Sequence, residues 1–384
     1  LDREGSVRLL GFPAKIMTVK PSLERRWARL QRLMHEQNID LLIVSENART
    51  RYLTGYQRYF TATHVPPVHA VVLTQRTGPF LLIPRHVRLD SDEYAAASLV
   101  HLAFGEAAKL DAIDIIIREA GVKSGQVAIE LGYLSHGQVE RIKSRFSRLT
   151  FVDADPMIRA ASAVKFPDEV ETIRDAARIV DMGIAAAVAA CRAGVRELDV
   201  AAEASAAMLY NGAEFINHMT VRSGPHATGN HPFPTGRKLE SGDCVQIDIG
   251  CVVGGYVSDT NRTKVVGAPS PAQRELLDVG QRMLEAGIDA VKPGVPASAI
   301  WQAAVEVADR AGMRQRVIIP FVGHGIGLGL HELPFITESA DTMLEEGMVL
   351  AIEPGVYADG IGCSRPEDMV LVTADGAELL THYP

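Results

Sequence analysis

The sequence predicts an α/β amino-terminal domain followed by an α+β carboxy-terminal domain built on an internal pseudo-two-fold repeat. Three observations carry this expectation. The first third of the chain mixes short apolar runs with amphipathic helical stretches. The texture changes near residue 160, where a proline-led helix begins. Beyond it, a helix–helix–hairpin pattern occurs twice.

A chain of 384 residues fits two domains, at roughly 150 residues each, and the expected division is 1–160 and 161–384. With 47% hydrophobic and 22% charged residues it can bury a large core without staples. Lys and Arg number 39 against 47 Asp and Glu, a net charge of −8, which argues against a nucleic-acid partner. Cys191, Cys244, Cys251 and Cys363 are too few and too scattered for a disulfide framework or a CxxC zinc site, so they read as reduced thiols. No run approaches the roughly 18 apolar residues that span a bilayer. Residues 1–20 lack a charged flank leading into an apolar run, so no signal peptide is read there. The expectation is a soluble cytoplasmic protein with no membrane partner. The chain opens on Leu rather than Met, which reads as a native start lying upstream.

Taken in order, Ser22–Gln37 has helical spacing through Leu23, Trp27, Leu30, Leu33 and Met34, with Ser22 as its expected N-cap. Ile39–Val44 (IDLLIV) is a short buried strand, and His69–Leu73 and Pro79–Ile83 are further strand-like runs. Leu110–Glu119 reads as a helix. Pro167, followed by acidic residues that favour a helix N-terminus, starts a long helix running to about Ala193.

The repeat lies in this second part. Cys191–Val195 (CRAGV) ends one helix and Leu198–Tyr210 forms the next. A hundred positions on, Val291–Val295 (VKPGV) ends a helix and Ala297–Ala311 follows. Each pair leads to a hairpin-like segment bearing carboxylates, so a site is expected between the halves.

In Cys244–Lys264, two alternating runs flank Gly254–Gly255 and read as a β-hairpin. Centring its turn between Val253 and Gly254 sets Asp248 directly opposite Asp259, with Cβ atoms about 5 Å apart. In the segment AIEPGVYADGIGCSRPEDMVLV, a turn centred on Gly360 sets Glu353 opposite Glu367. Four carboxylates converging in a core need at least two hard divalent cations to offset their repulsion and desolvation. Between the hairpins, His324 and His331 flank a run in which every second residue from Gly323 to Gly329 is glycine. Such a run permits close backbone approach beside a metal or substrate. It lacks the Lys or acidic residue of a phosphate cradle. His231, 17 residues before Asp248, and His226 in the same loop are equal candidates for a proton carrier.

These residues, in this order, resemble the pita-bread metallohydrolase family of aminopeptidase P, prolidase, methionine aminopeptidase and creatinase. The matching blocks are DIGCVVGGYVSDTNRT, GHGIGLGLHE, AIEPGVY and RPEDMVLVT. The segment SLERRWARLQRLMHEQNIDLLIVSENARTRYLTGY is similar to the amino-terminal domain of aminopeptidase P, prolidase and creatinase, which methionine aminopeptidases lack. The resemblance implies a pita-bread catalytic domain over 161–384 and two divalent cations, Mn²⁺ above Co²⁺, Zn²⁺ or Fe²⁺. Asp248 would chelate one metal, His324 and Glu353 the other, and Asp259 and Glu367 would bridge both. A metal-activated water would attack a polarised carbonyl with Glu353 as general base. His231 and His331 fall at the substrate-binding histidines of the family, which favours His231 over His226. Tyr357 and Arg365 match supporting positions.

One departure stands out: several family members carry a further His four residues before the ligand equivalent to His324, where this chain has Pro320. The leading expectation is an Xaa-Pro aminopeptidase or dipeptidase acting on short peptides. The alternative is a metal-dependent hydrolase of a small non-peptide C–N compound, of the creatinase or ectoine hydrolase kind. The resemblance also implies a homodimer, in which Gln57, Arg58 and Phe60 of one subunit would read substrate in the other.

Overall fold

The computed structural model describes residues 14–15, 21–56, 69–85, 87, 98–103, 105–228 and 233–383. The chain divides into two compact units, Leu1–Ala161 and Ser162–Pro384.

The first unit is a seven-stranded mixed sheet. Its strands run in the order Ala14–Lys15, Ser98–Leu102, Phe80–Pro84, Ala70–Thr74, Ile39–Val44, Gln126–Ile129 and Thr150–Asp153. Ile39–Val44 pairs in parallel with Gln126–Ile129 and antiparallel with Ala70–Thr74. Central strands of this kind are covered on both faces, which is why they read as continuous apolar runs. The helix Pro21–Glu36 begins one residue before Ser22, so Ser22 lies inside the first turn instead of capping it. Trp27 and Leu30 turn inward from this helix, and Trp27 Nε1 donates to the carbonyl of Leu53 at 2.7 Å.

The second unit contains two copies of one motif. In the first, helices Pro167–Ala190 and Glu197–Tyr210 pack on a sheet of strands Phe215–Ser223, Cys244–Val253, Tyr256–Val257 and Thr260–Val265. In the second, helices Pro271–Asp289 and Ser298–Arg310 pack on a sheet ordered Glu332–Thr337, Phe321–Gly325, Val349–Ile352, Asp368–Val372 and Ala377–Leu379. The copies share backbone detail at the loop between their helices. Gly194 N–H donates to Leu239 and Gly294 N–H to Leu344, both at 2.8 Å. In the same loops, the isolated bridges Arg196–Lys238 and Pro296–Met343 repeat one another. Gly194 and Gly294 both have positive φ, at 88° and 78°, so the turn needs glycine in both copies.

The two hairpins differ in how well turn placement follows from pattern. Around Gly360 the expected register is present: Val356 pairs with Ser364 and Ile352 with Asp368, which places Glu353 and Glu367 at the next matching positions. Around Gly254–Gly255 the expected register is off by one position. Both glycines have positive φ, at 58° and 86°, so they form the two central residues of a tight turn. Val253 therefore pairs with Tyr256, and Asp248 faces Asn261, not Asp259. Asp259 moves along its strand to a diagonal position beside Gly250. A shift of one residue on each side preserves parity, so both aspartates still share a face.

Candidate metal centre

The centre is assembled on the strand Cys244–Val253, which lies between Phe215–Ser223 and Thr260–Val265. One row across these strands is Thr220, Asp248 and Asn261. Two positions along, on the same face, His218 pairs with Gly250, and Ser258 N–H donates to Cys251 at 2.9 Å, which continues the ladder so that Asp259 stands on the other side of Gly250. From the second half come His324, on Phe321–Gly325, together with Glu353 and Glu367, which follow and precede the paired strands Val349–Ile352 and Asp368–Val372. Gly323 and Gly325 let that central strand sit tightly between its neighbours. A Cβ at Gly323 would lie 2.3 Å from the carbonyl of Ala351, and one at Gly325 2.2 Å from that of Leu333.

These side chains form two clusters whose ligand-type atoms lie within 4.8 Å of one another: His218, Asp248 and Asp259, and then Asp259, His324 and Glu367. Asp259 belongs to both. His324 Nε2 is 3.6 Å from Asp259 Oδ2 and 3.2 Å from Glu353 Oε1. Its Nδ1 lies 2.9 Å from the carbonyl of Gly325, which can only accept, so Nδ1 carries the proton and Nε2 turns its lone pair toward the carboxylates. Arg365 spans the edge of the site, with Nη1 3.2 Å from Asp248 Oδ2 and Nη2 in contact with Glu353 Oε2.

The residues fit divalent cations. Asp259, His324, Glu353 and Glu367 are 5% exposed or less. Yet Asp259 Oδ1, His324 Nε2, Glu353 Oε1 and both Glu367 carboxylate oxygens have no hydrogen-bond partner, and neither do the side-chain atoms of Asn261. Buried acceptors facing one another without donors are costly unless a cation lies among them. The electrostatics agree. Burial, then the Asp259 and Asp248 charges, push Glu367 well above the carboxylate range. Burial would raise Asp248 too, but the His218 hydrogen bond and the Arg365 charge hold it far below its usual value. An oxygen-rich donor set with imidazole suits Mn²⁺, Fe²⁺, Co²⁺ or Zn²⁺.

Of the remaining expected site residues, His331 is exposed at the rim, its ring T-shaped to His324 at 4.4 Å between centroids and stacked on Phe335 at 6.2 Å. Burial and the neighbouring His324 lower its pKa. Tyr357, on Val356–Ala358, pairs with Cys363, and burial, then the Cys363 charge, raise its phenol. His226 is engaged elsewhere: its Nδ1 lies 3.1 Å from Glu197, a fully buried carboxylate that also accepts from Ser223 and Thr235. His231, Gln57, Arg58 and Phe60 lie outside the described residues. His218 is the residue that sequence reasoning missed. Its only signal was a histidine in an alternating run, and its pairing with Gly250 depends on a bulge that pattern does not reveal.

A model of metallopeptidase family M24 matches residues 171–374, and one of the creatinase/prolidase N-terminal domain matches residues 26–164. The chain belongs to metallopeptidase family M24. It is 31% identical over 360 residues to an Xaa-Pro dipeptidase of Pyrococcus furiosus, covering 94% of this chain and 98% of that one. An Xaa-Pro dipeptidase of Lactobacillus helveticus is 29% identical, with 92% and 96% covered. Among solved structures, the prolidase of P. furiosus superposes with a TM-score of 0.79 at 30% identity, covering 92% of this chain and 99% of that one. An Xaa-Pro dipeptidase from Bacillus anthracis does so with a TM-score of 0.85 at 25% identity, covering 94% and 98%. The two-domain architecture and the divalent-metal hydrolase character of the chain follow from this membership.

Proposed function

We propose that this member of the family is a binuclear metallopeptidase that cleaves the bond before proline in short peptides, as an Xaa-Pro dipeptidase or aminopeptidase. The observation that carries the reading is Asp259, shared between two ligand clusters, with its Oδ1 and both Glu367 carboxylate oxygens buried and without a hydrogen-bond partner. Asp248, Asp259, His324, Glu353 and Glu367 would hold the cations, with Asp259 and Glu367 placed to serve both. Bound there, divalent cations supply Lewis acidity for a carbonyl and acidify water. Glu353, with Oε2 held by Arg365 and Oε1 turned to the centre, accepts the proton of the nucleophile. His331, at the rim beside His324, hydrogen-bonds substrate, and the family resemblance assigns His231 the same role. Tyr357 supports the strand pair that lies in the chain between Glu353 and Arg365. Arg58 contributes substrate contacts from the first domain of a partner subunit.

The reading extends to manganese as the resident cation, a homodimer and a cytoplasmic location. Four buried, unpaired cysteines support a reducing compartment, and no helix among the described residues is long and apolar enough to cross a membrane. A second reading rests on Pro320, exposed just before the His324 strand, at a position where the family resemblance leads to a histidine in Xaa-Pro peptidases. It favours a small non-peptide C–N substrate.

A single experiment separates the two. Mn²⁺-loaded protein is incubated with Xaa-Pro dipeptides, Xaa-Pro-Xaa tripeptides, creatine and ectoine, and parent ions are followed by mass spectrometry. Loss of the proline peptides, abolished by Asp259→Ala, is the expected result. Loss of creatine or ectoine alone establishes the second reading.

A further inference from the structure

We propose that His218 is a protein ligand of the cation held by Asp248 and Asp259, so that each of the two cations receives one imidazole. This rests on the binuclear reading above and adds to it a sixth protein ligand.

The geometry is that of a coordination corner. His218 Nε2 lies 3.1 Å from Asp248 Oδ1 and 3.1 Å from Asp259 Oδ1. Donor atoms at right angles on an ion about 2.1 Å away stand about 3 Å apart. The ring's Nε2 makes its hydrogen bond to Asp248, and Asp259 Oδ1, at the same distance, is left without one.

The backbone aims the ring. Ile216 pairs with Cys251 and His218 with Gly250, so Asn217 is the extra residue of a β-bulge. Without that insertion Asn217, not His218, would face Gly250. Gly250 leaves the room the ring occupies: a Cβ there would be 2.4 Å from His218 Cε1 and 2.7 Å from Asn217 Oδ1. Behind the ring, the Asn217 carboxamide lies 3.0 Å from His218 Nδ1 through its nitrogen, while its Oδ1 is buried and unpartnered. Turned by half a rotation, the amide accepts Nδ1–H, leaves Nε2 free to donate its lone pair, and acquires a partner for its oxygen.

An imidazole on each cation raises affinity for Co²⁺ and Zn²⁺ more than for Mn²⁺, because nitrogen donors reward the later metals. The competing role is an internal counter-ion, in which a protonated His218 neutralises the aspartates and gives way when metal arrives. The two roles predict opposite signs. If His218 is a ligand, His218→Gln weakens one of the two binding steps by 10-fold or more. If it is a counter-ion, the substitution leaves binding unchanged or tightens it.

The test is calorimetric titration of chelator-stripped full-length protein with Co²⁺, Zn²⁺ and Mn²⁺. Imidazole ligands in the Co²⁺ form are counted by X-ray absorption. The expected result is two bound ions and two imidazoles in the wild type, and one fewer imidazole in His218→Gln with a larger affinity loss for Co²⁺ and Zn²⁺ than for Mn²⁺. An unchanged imidazole count, or unchanged or tighter binding, overturns the assignment of His218 while leaving the centre intact. A folded wild type that binds no cation overturns the binuclear reading itself, and this assignment with it. Should His218→Gln fail to fold by circular dichroism, Asn217→Leu replaces it: weaker binding at one step with two imidazoles retained is expected, and unchanged binding counts against the proposal.

Discussion

Glu367 donates its backbone N–H to the carbonyl of Asn261 at 3.0 Å, and the two residues form an isolated antiparallel bridge. Thr260 Oγ1 adds a bond to the Glu367 carbonyl at 2.9 Å. This junction ties the sheet of one repeat copy to the sheet of the other. It brings Asp259, two residues before Asn261, beside the Glu367 carboxylate, so the shared ligand cluster is a direct product of the seam.

Asp259→Asn tests that seam chemically. Asp259 is the one member common to both clusters, so the substitution is expected to deplete both cations. Hydrolysis should fall by more than ~100-fold, beyond the loss typical of removing an outer partner of a ligand. Metal analysis and peptide turnover measure it. Full metal content in the variant would contradict the bridging role.

Chelation should lower stability as well as activity. With the cations removed, the carboxylate oxygens of Glu367 and Asp259 Oδ1 are buried without hydrogen-bond partners. Cations at 100 times their Kd contribute about 2.7 kcal/mol to the native state. Melting curves with and without a chelator should differ by several degrees, and identical curves would show that the cations do not bind the folded chain.

Gly250 should tolerate no side chain. Its Cβ would fall 2.1 Å from the carbonyl of Ser258, a backbone atom that cannot swing away. Gly250→Ala is therefore expected to cost about 1–3 kcal/mol or more. Gly236, where an added Cβ meets nothing within 4 Å, is the control and should change by less than ~0.5 kcal/mol. Urea unfolding of both variants gives the comparison.

Lys109 supplies a pH prediction in the first unit. It is 4% exposed on the helix Glu106–Glu119, and burial, partly offset by Glu106, lowers its pKa to about 8. Unfolded, it titrates at its ordinary 10.5. Between these values the native state binds fewer protons than the unfolded state, so this group makes stability rise with pH from about 8 to 10.5. Below about 8 the cost of the buried charge is fully present. Lys109→Met should stabilise the protein at pH 7 by up to about 3 kcal/mol, and the gain should vanish near pH 10.5. Equal gains at both pH values would place its origin in packing, not charge.

Much of this was legible in one dimension. Apolar runs such as Ile39–Val44 mark their strands because both faces are buried, a property each residue carries alone. The repeated glycines at 194 and 294 mark matching turns because only glycine adopts that φ cheaply. The register around Gly360 followed from the turn, and the carboxylates it aligns could be named.

Local chemistry and spacing were enough to read many of the elements, the duplication and the expectation that facing carboxylates would call for cations, but not strands such as Phe215–Ser223. Which side chains meet depends on how the strands pair, and no local pattern carries that. The true register at Gly254–Gly255 came from the φ values of a two-glycine turn, and parity preserved the shared face even where the pairing moved. His226 was drawn away by Glu197. His218 entered the centre through a one-residue bulge against a glycine on the neighbouring strand. Such a bulge re-aims a side chain without altering the alternation of residues around it, so only the paired strands could reveal it.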